Sequence, residues 1–350
     1  MPAGAGWNMT QAKEKILLCW PRNPHPQINK IFPSRTFEVK IPSTCGATCS
    51  EKELLSLVSD VDFLVVRRYY QITKKVIENA RKLKLIQRAG LDYSNIDIRA
   101  ARQAGIMVSN MPMCIDASVA EHTILLMMAL SRKLIQSHQH VINGGYEEFG
   151  LKPIKTNEYK IMNNWMRLSI HHLFHQTLGI IGLGEIGKAV AKRANSLGMK
   201  VIYYKRTKLY VNEESELQVK YSDFHTLLEK SDFVTLHMPL TKQTRHLIGR
   251  KELSIMKNTA FLINTSRGGV IDENALYEAL KKKEIGGAGL DVFEREPIPK
   301  NHPLLKLSNV VLTPHVGGGN GSLIYDLRRI KANMIRVMKG KKPINIVDVM

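Results

Sequence analysis

The sequence predicts an α/β protein built as two doubly wound parallel sheets. Three observations carry that reading. A strand, a glycine turn and a helix follow one another over residues 177–187. Apolar strand-like segments alternate with helical ones on both sides of that stretch, the signature of a parallel sheet. The crossings between the two runs, near 112–118 and 315–321, are marked by proline or glycine. The 350 residues suggest about two domains. A hydrophobic share of 44% supplies a sizeable core and excludes wholesale disorder.

Residues 15–19, centred on Ile16-Leu17-Leu18, read as a first buried strand. A Pro- and Thr-rich loop is expected next, then a helix over 51–58. Asp62-Phe63-Leu64-Val65-Val66 is a second buried strand, closed by Arg67-Arg68. Helical spacing over 73–80 has Thr73 as its cap. A strand over 83–88 runs into Ala89-Gly90-Leu91-Asp92, a helix over 96–104 stops at Gly105, and 106–108 is one more strand. Met111-Pro112 marks the first crossing. Residues 117–142 are apolar on nearly every side, through Val119, Ala120, Ile124, Leu125, Leu126, Met127, Met128 and Leu130. That predicts one long helix buried all round, inside the protein or in a subunit interface. Gly144-Gly145 ends it, and 146–172 is polar and irregular.

The second run opens on Leu178-Gly179-Ile180-Ile181, which leads into Gly182-Leu183-Gly184-Glu185-Ile186-Gly187. In this G-x-G-x-x-G, Gly182 permits the tight turn, Gly184 lets backbone approach a pyrophosphate, and Gly187 lets helix pack on strand. The helix start at Glu185 and Ile186 offers free N–H groups and a positive dipole end to phosphates. Further strands are expected at 200–204, 233–236, 260–263, 287–290 and 310–312, with a helix over 273–283. After Gly317-Gly318-Gly319 an amphipathic helix runs over about 323–338. The simplest topology returns that helix to the first unit. Residues 1–115 and 316–350 then form one domain and 116–315 the other.

The formal charge is +20 and the pI near 9.8, which admits nucleic acid, a membrane surface or anionic small molecules. The cations are dispersed and no zinc-finger or RNA-binding motif accompanies them, which favours the last. Cys19, Cys45, Cys49 and Cys114 form no C-x-x-C, so neither a zinc site nor a disulfide framework is indicated, and a reducing compartment fits. No stretch is expected to be long and apolar enough to span a bilayer, and a cytoplasmic location is expected, with organelle import left open. His171, His172 and His175 have a spacing that would permit a metal, but they precede a strand as an ordinary connector; no metal is expected.

Three polar clusters follow buried strands: Asn264-Thr265-Ser266-Arg267-Gly268-Gly269, Asp291-Val292-Phe293-Glu294-Arg295-Glu296-Pro297 and Thr313-Pro314-His315-Val316-Gly317-Gly318. Ligands of open α/β sheets sit beyond the carboxyl ends of the strands. An arginine, carboxylates and a histidine beside a dinucleotide turn suit reversible hydride transfer to a 2-oxo acid. The nicotinamide supplies the hydride. A histidine titrating in the working range gives the alkoxide its proton. A neighbouring carboxylate favours the protonated ring, and an arginine holds a substrate carboxylate through paired hydrogen bonds. The roles fall to His315 as acid/base, Glu296 as its partner with Glu294 as the alternative, and Arg267 as anchor and carbonyl polariser.

On these residues the chain resembles the NAD(P)-dependent D-isomer-specific 2-hydroxyacid dehydrogenases, which include phosphoglycerate dehydrogenase and glyoxylate/hydroxypyruvate reductases. The matching pieces run from about residue 83 to the end, more weakly before. They are Ala89-Gly90-Leu91-Asp92 with Asn95-Ile96-Asp97; Ser118-Val119-Ala120-Glu121-His122; residues 177–187; His237-Met238-Pro239-Leu240-Thr241; residues 264–268; residues 289–297; and residues 313–318. The resemblance implies a Rossmann dinucleotide-binding domain inserted into a flavodoxin-like substrate domain. It implies the triad Arg267, Glu296 and His315. It places Asp291 on the nicotinamide amide, Asn264 and Thr265 also on the cofactor, and His237, Pro239 and Thr244 on the adenosine side. The backbone N–H groups of Gly90 and Leu91, with Arg67, would bind the substrate carboxylate. The long helix after the hinge would form a homodimer.

Two departures stand out. NAD-using members end the second strand of the dinucleotide fold with an acidic residue for the ribose hydroxyls. Here Tyr204-Lys205-Arg206-Thr207-Lys208 has no carboxylate, and Lys205 and Arg206 suit a 2′-phosphate. NADP(H) is therefore favoured, with NAD(H) as the other cofactor. The 146–172 stretch is also longer than usual. The competing function is a dinucleotide-binding corepressor, since such proteins share the fold and keep the triad. Nucleic-acid binding by charge alone is a weaker third reading.

Overall fold

The computed structural model describes residues 12–19, 28–42, 50–67, 69–153 and 169–347. It divides into two units, Met1–Ile115 with Asn320–Met350, and Asp116–Gly319. Cys45, Cys49, Arg68 and most of the 146–172 stretch lie outside the described residues.

In the first unit, β1 (Glu14–Leu18), α1 (Ile28–Ile31), β2 (Phe37–Lys40), α2 (Glu51–Val58), β3 (Phe63–Val66), α3 (Lys74–Asn79), β4 (Leu85–Ala89), α4 (Ile98–Gln103) and β5 (Met107–Met111) follow in order. The strands form a parallel sheet in the order β2-β1-β3-β4-β5, the flavodoxin-like arrangement. Thr73 and Asp97 cap α3 and α4 by accepting from Val76 N–H and Ala100 N–H. Side chains alternate across the sheet. Leu17, Leu64, Val66, Ile86 and Val108 face α2, α3 and α4. Ile16, Leu18, Phe63, Val65 and Leu85 face the other way, onto α1 and a helix that comes much later in the chain. The segment expected as loop after β1 thus holds β2. Its edge strand buries Phe37 alone, too little apolar pattern to announce a strand.

Next come α5 (Cys114–Ser131) and α6 (Leu134–Ile142), where the sequence suggested one helix buried all round. Lys133 breaks the run in left-handed backbone at φ 48°. Ala120, Leu126, Met127 and Leu130 of α5 pack into the core of the second unit, but Leu125 and Met128 are exposed. No residue of α6 is buried, and its Leu134, Ile135, Val141 and Ile142 face outward. Among the described residues α5 is also long and apolar enough to cross a membrane by length and composition, contrary to the expectation that no stretch would be. Half of it is buried within the protein, as in a core helix.

The second unit continues with β6 (Thr177–Ile181), α7 (Glu185–Ser196), β7 (Lys200–Tyr204), α8 (Val211–Leu217), β8 (Lys220–Tyr221), α9 (Phe224–Lys230), β9 (Phe233–Leu236), α10 (Arg250–Ile255), β10 (Phe261–Asn264), α11 (Glu273–Lys281), β11 (Gly287–Leu290) and β12 (Val310–Leu312). Read from β8, the parallel order is β8-β7-β6-β9-β10-β11-β12, the Rossmann order with one more strand. Leu178 and Ile180 of β6 pack with α5 and α7, while Val234, Leu236 and Leu262 pack with α9, α10 and α11.

The chain then returns through α12 (Asn320–Met338) to the first unit. Leu327, Ile330 and Met334 of α12 recur at helical spacing and are at most 2% exposed. Burying each such side chain contributes about 1.5–3 kcal/mol. Asp326, fully buried, accepts from Cys114 N–H with both oxygens at 3.0 Å and so caps α5 from outside. Asn333 ties α12 to the sheet: its amide donates to Gln87 Oε1 (2.8 Å) and accepts from Ile344 N–H (2.9 Å). Both Asn333 and Gln87 are buried. Asn333→Ala is expected to lower the unfolding free energy by about 1–3 kcal/mol, because buried polar partners lose their bonds. Urea unfolding of variant and wild type checks this, and an unchanged midpoint would mean that water replaces the amide.

Candidate active site

β10, β11 and β12 are neighbours, and the loops at their carboxyl ends carry Arg267, Glu296 and His315. Asn264 closes β10 at 1% exposure. Its amide donates to Arg267 O (3.0 Å), and its Oδ1 accepts from Ser266 N–H (3.0 Å) and Ser266 Oγ–H (2.8 Å). The side chain therefore shapes the loop that presents Arg267 to solvent. The next residue must be glycine: a Cβ on Gly268 would lie 1.9 Å from the Phe293 carbonyl carbon. The Arg267 loop thus rests on the loop after β11.

Phe293 N–H donates to Glu296 Oε1 (3.1 Å), and Glu296 Oε2 pairs with His315 Nδ1 at 2.7 Å. His315 sits in left-handed backbone at φ 56°. Its side chain is 47% exposed and that of Glu296 36%, so a solute can reach the pair. With Nδ1 held by Glu296, Nε2 is the ring nitrogen available for proton transfer. Glu294 is not the partner: its Oε1 lies 2.5 Å from His246 Nε2, and its N–H donates to Glu273 Oε1.

Several residues expected on the cofactor also make framework bonds. Asp291, 2% exposed, accepts from Thr313 Oγ–H (2.6 Å), Val316 N–H (2.9 Å) and Gly317 N–H (2.8 Å). Its carboxylate is directed at the loop that carries His315. Thr265 Oγ1 meets Thr123 Oγ1 of α5 at 3.0 Å. Thr244 Oγ1 donates to Pro239 O (2.7 Å) and accepts from Thr241 N–H (2.7 Å), bracing its own turn.

The dinucleotide turn fits a cofactor. Gly182 has φ 97°, and a Cβ there would lie 2.5 Å from His237 O. One on Gly187 would lie 2.4 Å from Gly182 O. A Cβ on Gly184, by contrast, would meet nothing within 4 Å, leaving room beside the backbone. The α7 start has no side-chain cap, so the first-turn N–H groups of Glu185, Ile186 and Gly187 point outward as an anion site. At the end of β7, Tyr203 OH accepts from Leu209 N–H (2.9 Å) and donates to Glu214 (2.7 Å), fixing the Lys205–Arg206 loop. Burial and Glu214 push the Tyr203 phenol up to about 12. Lys208 lies 3.9 Å from Glu214, whereas exposed Arg206 makes no ion pair among the described residues. His237 has both ring nitrogens sealed from solvent without a hydrogen-bond partner, although the residue as a whole is partly exposed. Orphaned polar atoms of this kind mark a place for a ligand group.

In the first unit, Arg67 is half-buried after β3. Gly90 follows β4 at φ 131°, and its N–H donates to Met111 O at 2.9 Å. The donor expected from Gly90 is therefore taken by the backbone. Leu91 beside it is 41% exposed. The histidines before β6 have ordinary roles: His171 N–H donates to Ser131 O, and the His175 ring contacts Phe174. Among the described residues no group of three or more His, Cys, Asp or Glu could hold a metal. Sequence reasoning gave His122 no role, yet its Nε2 lies 2.8 Å from Thr313 Oγ1. Its signal was a histidine standing next to the long apolar run of α5.

The family profile described as D-isomer specific 2-hydroxyacid dehydrogenase, NAD binding domain, matches residues 124–317. The chain belongs to that family. It is similar to a glyoxylate reductase of Thermococcus litoralis, 44% identical over 84% of this chain and 86% of that one. A hydroxypyruvate reductase of Thermotoga maritima is 42% identical over 76% and 80%. A solved acyclic imino acid reductase in complex with NADPH and D-Arg is 32% identical with a TM-score of 0.59, covering 95% of this chain and 100% of that one. As a family member the chain is an oxidoreductase that moves hydride between a nicotinamide cofactor and a small 2-oxo or 2-hydroxy acid.

The His237 ring supplies a test. Loss of hydration pushes its pKa from the ordinary 6.5 down to about 3. The unfolded chain then binds a proton near 6.5 that the folded chain refuses, so stability falls as pH drops below that value. Urea midpoints at neutral and mildly acidic pH are expected to fall further for wild type than for His237→Met. Equal pH dependence in the two proteins would show that the ring is hydrated.

Proposed function

We propose that the chain is an NADP(H)-preferring reductase of small 2-oxo acids of the glyoxylate and hydroxypyruvate kind, working as a homodimer in a reducing compartment. The observation that carries the reading is the 2.7 Å pair of His315 and Glu296 at the end of β12. The bound nicotinamide supplies the hydride. His315 delivers a proton from Nε2 to the carbonyl oxygen as it becomes an alkoxide, and takes it back in the reverse direction. Glu296 holds the opposite nitrogen, fixing the ring and favouring its protonated form. Arg267 pairs with the substrate carboxylate and polarises the carbonyl.

Lys205 and Arg206 at the end of β7, with no carboxylate beside them in 204–208, support a 2′-phosphate. The imino acid reductase it resembles binds NADPH. The formal charge of +20 draws anionic cofactor and anionic substrate alike. The outward apolar side chains of α5 and α6 support a second copy as their cover. Cys114 is a free thiol, which fits a reducing compartment.

Purified protein with NADPH and a panel of 2-oxo acids tests the reading through loss of the nicotinamide absorbance. Tight dinucleotide binding without turnover on any acid would return the corepressor alternative. His315→Ala is expected to lower kcat by about 10²–10⁴-fold while NADPH still binds. Undiminished turnover would remove His315 from the chemistry. Arg206→Ala is expected to weaken NADPH by about tenfold, the worth of one charge-assisted hydrogen bond, and NADH much less. Equal losses for both cofactors would show that Arg206 does not read the phosphate.

A further inference from the structure

We infer that His122 and Thr313 are positioning residues for His315, acting with Asp291 as a part-buried hydrogen-bond clamp on the loop that carries it. The inference rests on His315 being the proton donor.

The hydrogens in the clamp can be assigned. Asp291 Oδ1 accepts from Val316 N–H (2.9 Å) and Oδ2 from Gly317 N–H (2.8 Å), so the carboxylate is oriented as an acceptor. The Thr313 hydroxyl lies 2.6 Å from Asp291 Oδ1 and has a single hydrogen, which it donates there. Its oxygen can then only accept from His122 Nε2, at 2.8 Å, so His122 is the Nε2–H tautomer or doubly protonated. The same N–H faces Asp291 Oδ1 at 3.3 Å. The side chains of His122 and Asp291 are 11% and 2% exposed, so water competes little for these bonds.

The clamp grips the chain on both sides of His315. Thr313 is held through its side chain, and residues 316 and 317 through their N–H groups. Between them His315 keeps its left-handed backbone at φ 56°, an uncommon conformation for a residue other than glycine. Packing closes the last gap: a Cβ on Gly317 would lie 2.9 Å from Asp291 Oδ2 and 3.4 Å from the His122 ring. His122 comes from α5, which is seated in the core of the second unit by Ala120, Leu126, Met127 and Leu130. The helix thus passes its rigidity to a ring that otherwise stands half in solvent.

A shift of the imidazole by a fraction of its hydrogen-bond length costs proton transfer but leaves the cofactor turn untouched. His122→Phe, which keeps a ring and removes the donor, is expected to lower kcat by about 10–10²-fold with the KM for NADPH little changed. Thr313→Val is expected to match it, and Thr313→Ser, which keeps the hydroxyl, to recover most of the rate. In a His315→Ala background His122→Phe is expected to cost nothing further, because the two act as one unit. The inference is overturned if His122→Phe costs the same factor in both backgrounds, or if Thr313→Ser is as slow as Thr313→Val. A His315→Ala enzyme of normal turnover would overturn the reading of the site, and this inference with it.

Discussion

A parallel sheet has two apolar faces, and both must be covered. In the first unit α2, α3 and α4 cover one of them. The other, lined by Ile16, Leu18, Phe63, Val65 and Leu85, is closed by short α1 and by Leu327, Ile330 and Met334 of α12. That requirement explains why the chain leaves the first unit at residue 115, builds the second and comes back. The Asn333 amide and the Asp326 carboxylate turn the return into a specific seat, since they bond Gln87 and Cys114, 246 and 212 residues away in sequence.

The same rule orders the second unit and thereby its chemistry. Parallel neighbours end on one side, so loops far apart in sequence become adjacent. Arg267, Glu296 and His315 reach that side from three consecutive positions in the sheet. What the sheet does not supply is rotamer and loop geometry. Polar side chains one layer below provide it: buried Asn264 under Arg267, and buried Asp291 with half-buried Thr313 and His122 under His315. The groups that meet solvent are held by groups that meet it less.

Much of this was legible beforehand. The strands of the second unit are mostly apolar runs, and six of the seven lie within a residue of their expected limits, β8 being the unexpected one. The polar clusters behind β10, β11 and β12 announced a site because such residues at strand ends need a reason. Other features had no local sign. β2 buries one side chain, so no period marks it. Lys133 takes left-handed backbone where the sequence shows only another lysine, and the apolar run across it looked continuous. Glu296 was favoured over Glu294 as the partner, but that His246 claims Glu294 could not be read from the sequence. Gly90 was expected as a donor, but a cross-strand partner takes its N–H. Tertiary partners decided each of these.

The late arrival of α12 has a consequence for biosynthesis. While the polypeptide emerges from the ribosome, the first sheet must wait with one greasy face open until more than two hundred further residues have been added. The central unit is contiguous and can mature on its own in that interval. Translation therefore completes the inserted part before the part it interrupts, and a premature stop ahead of Asn320 strands the amino-terminal sheet in a sticky, chaperone-dependent form.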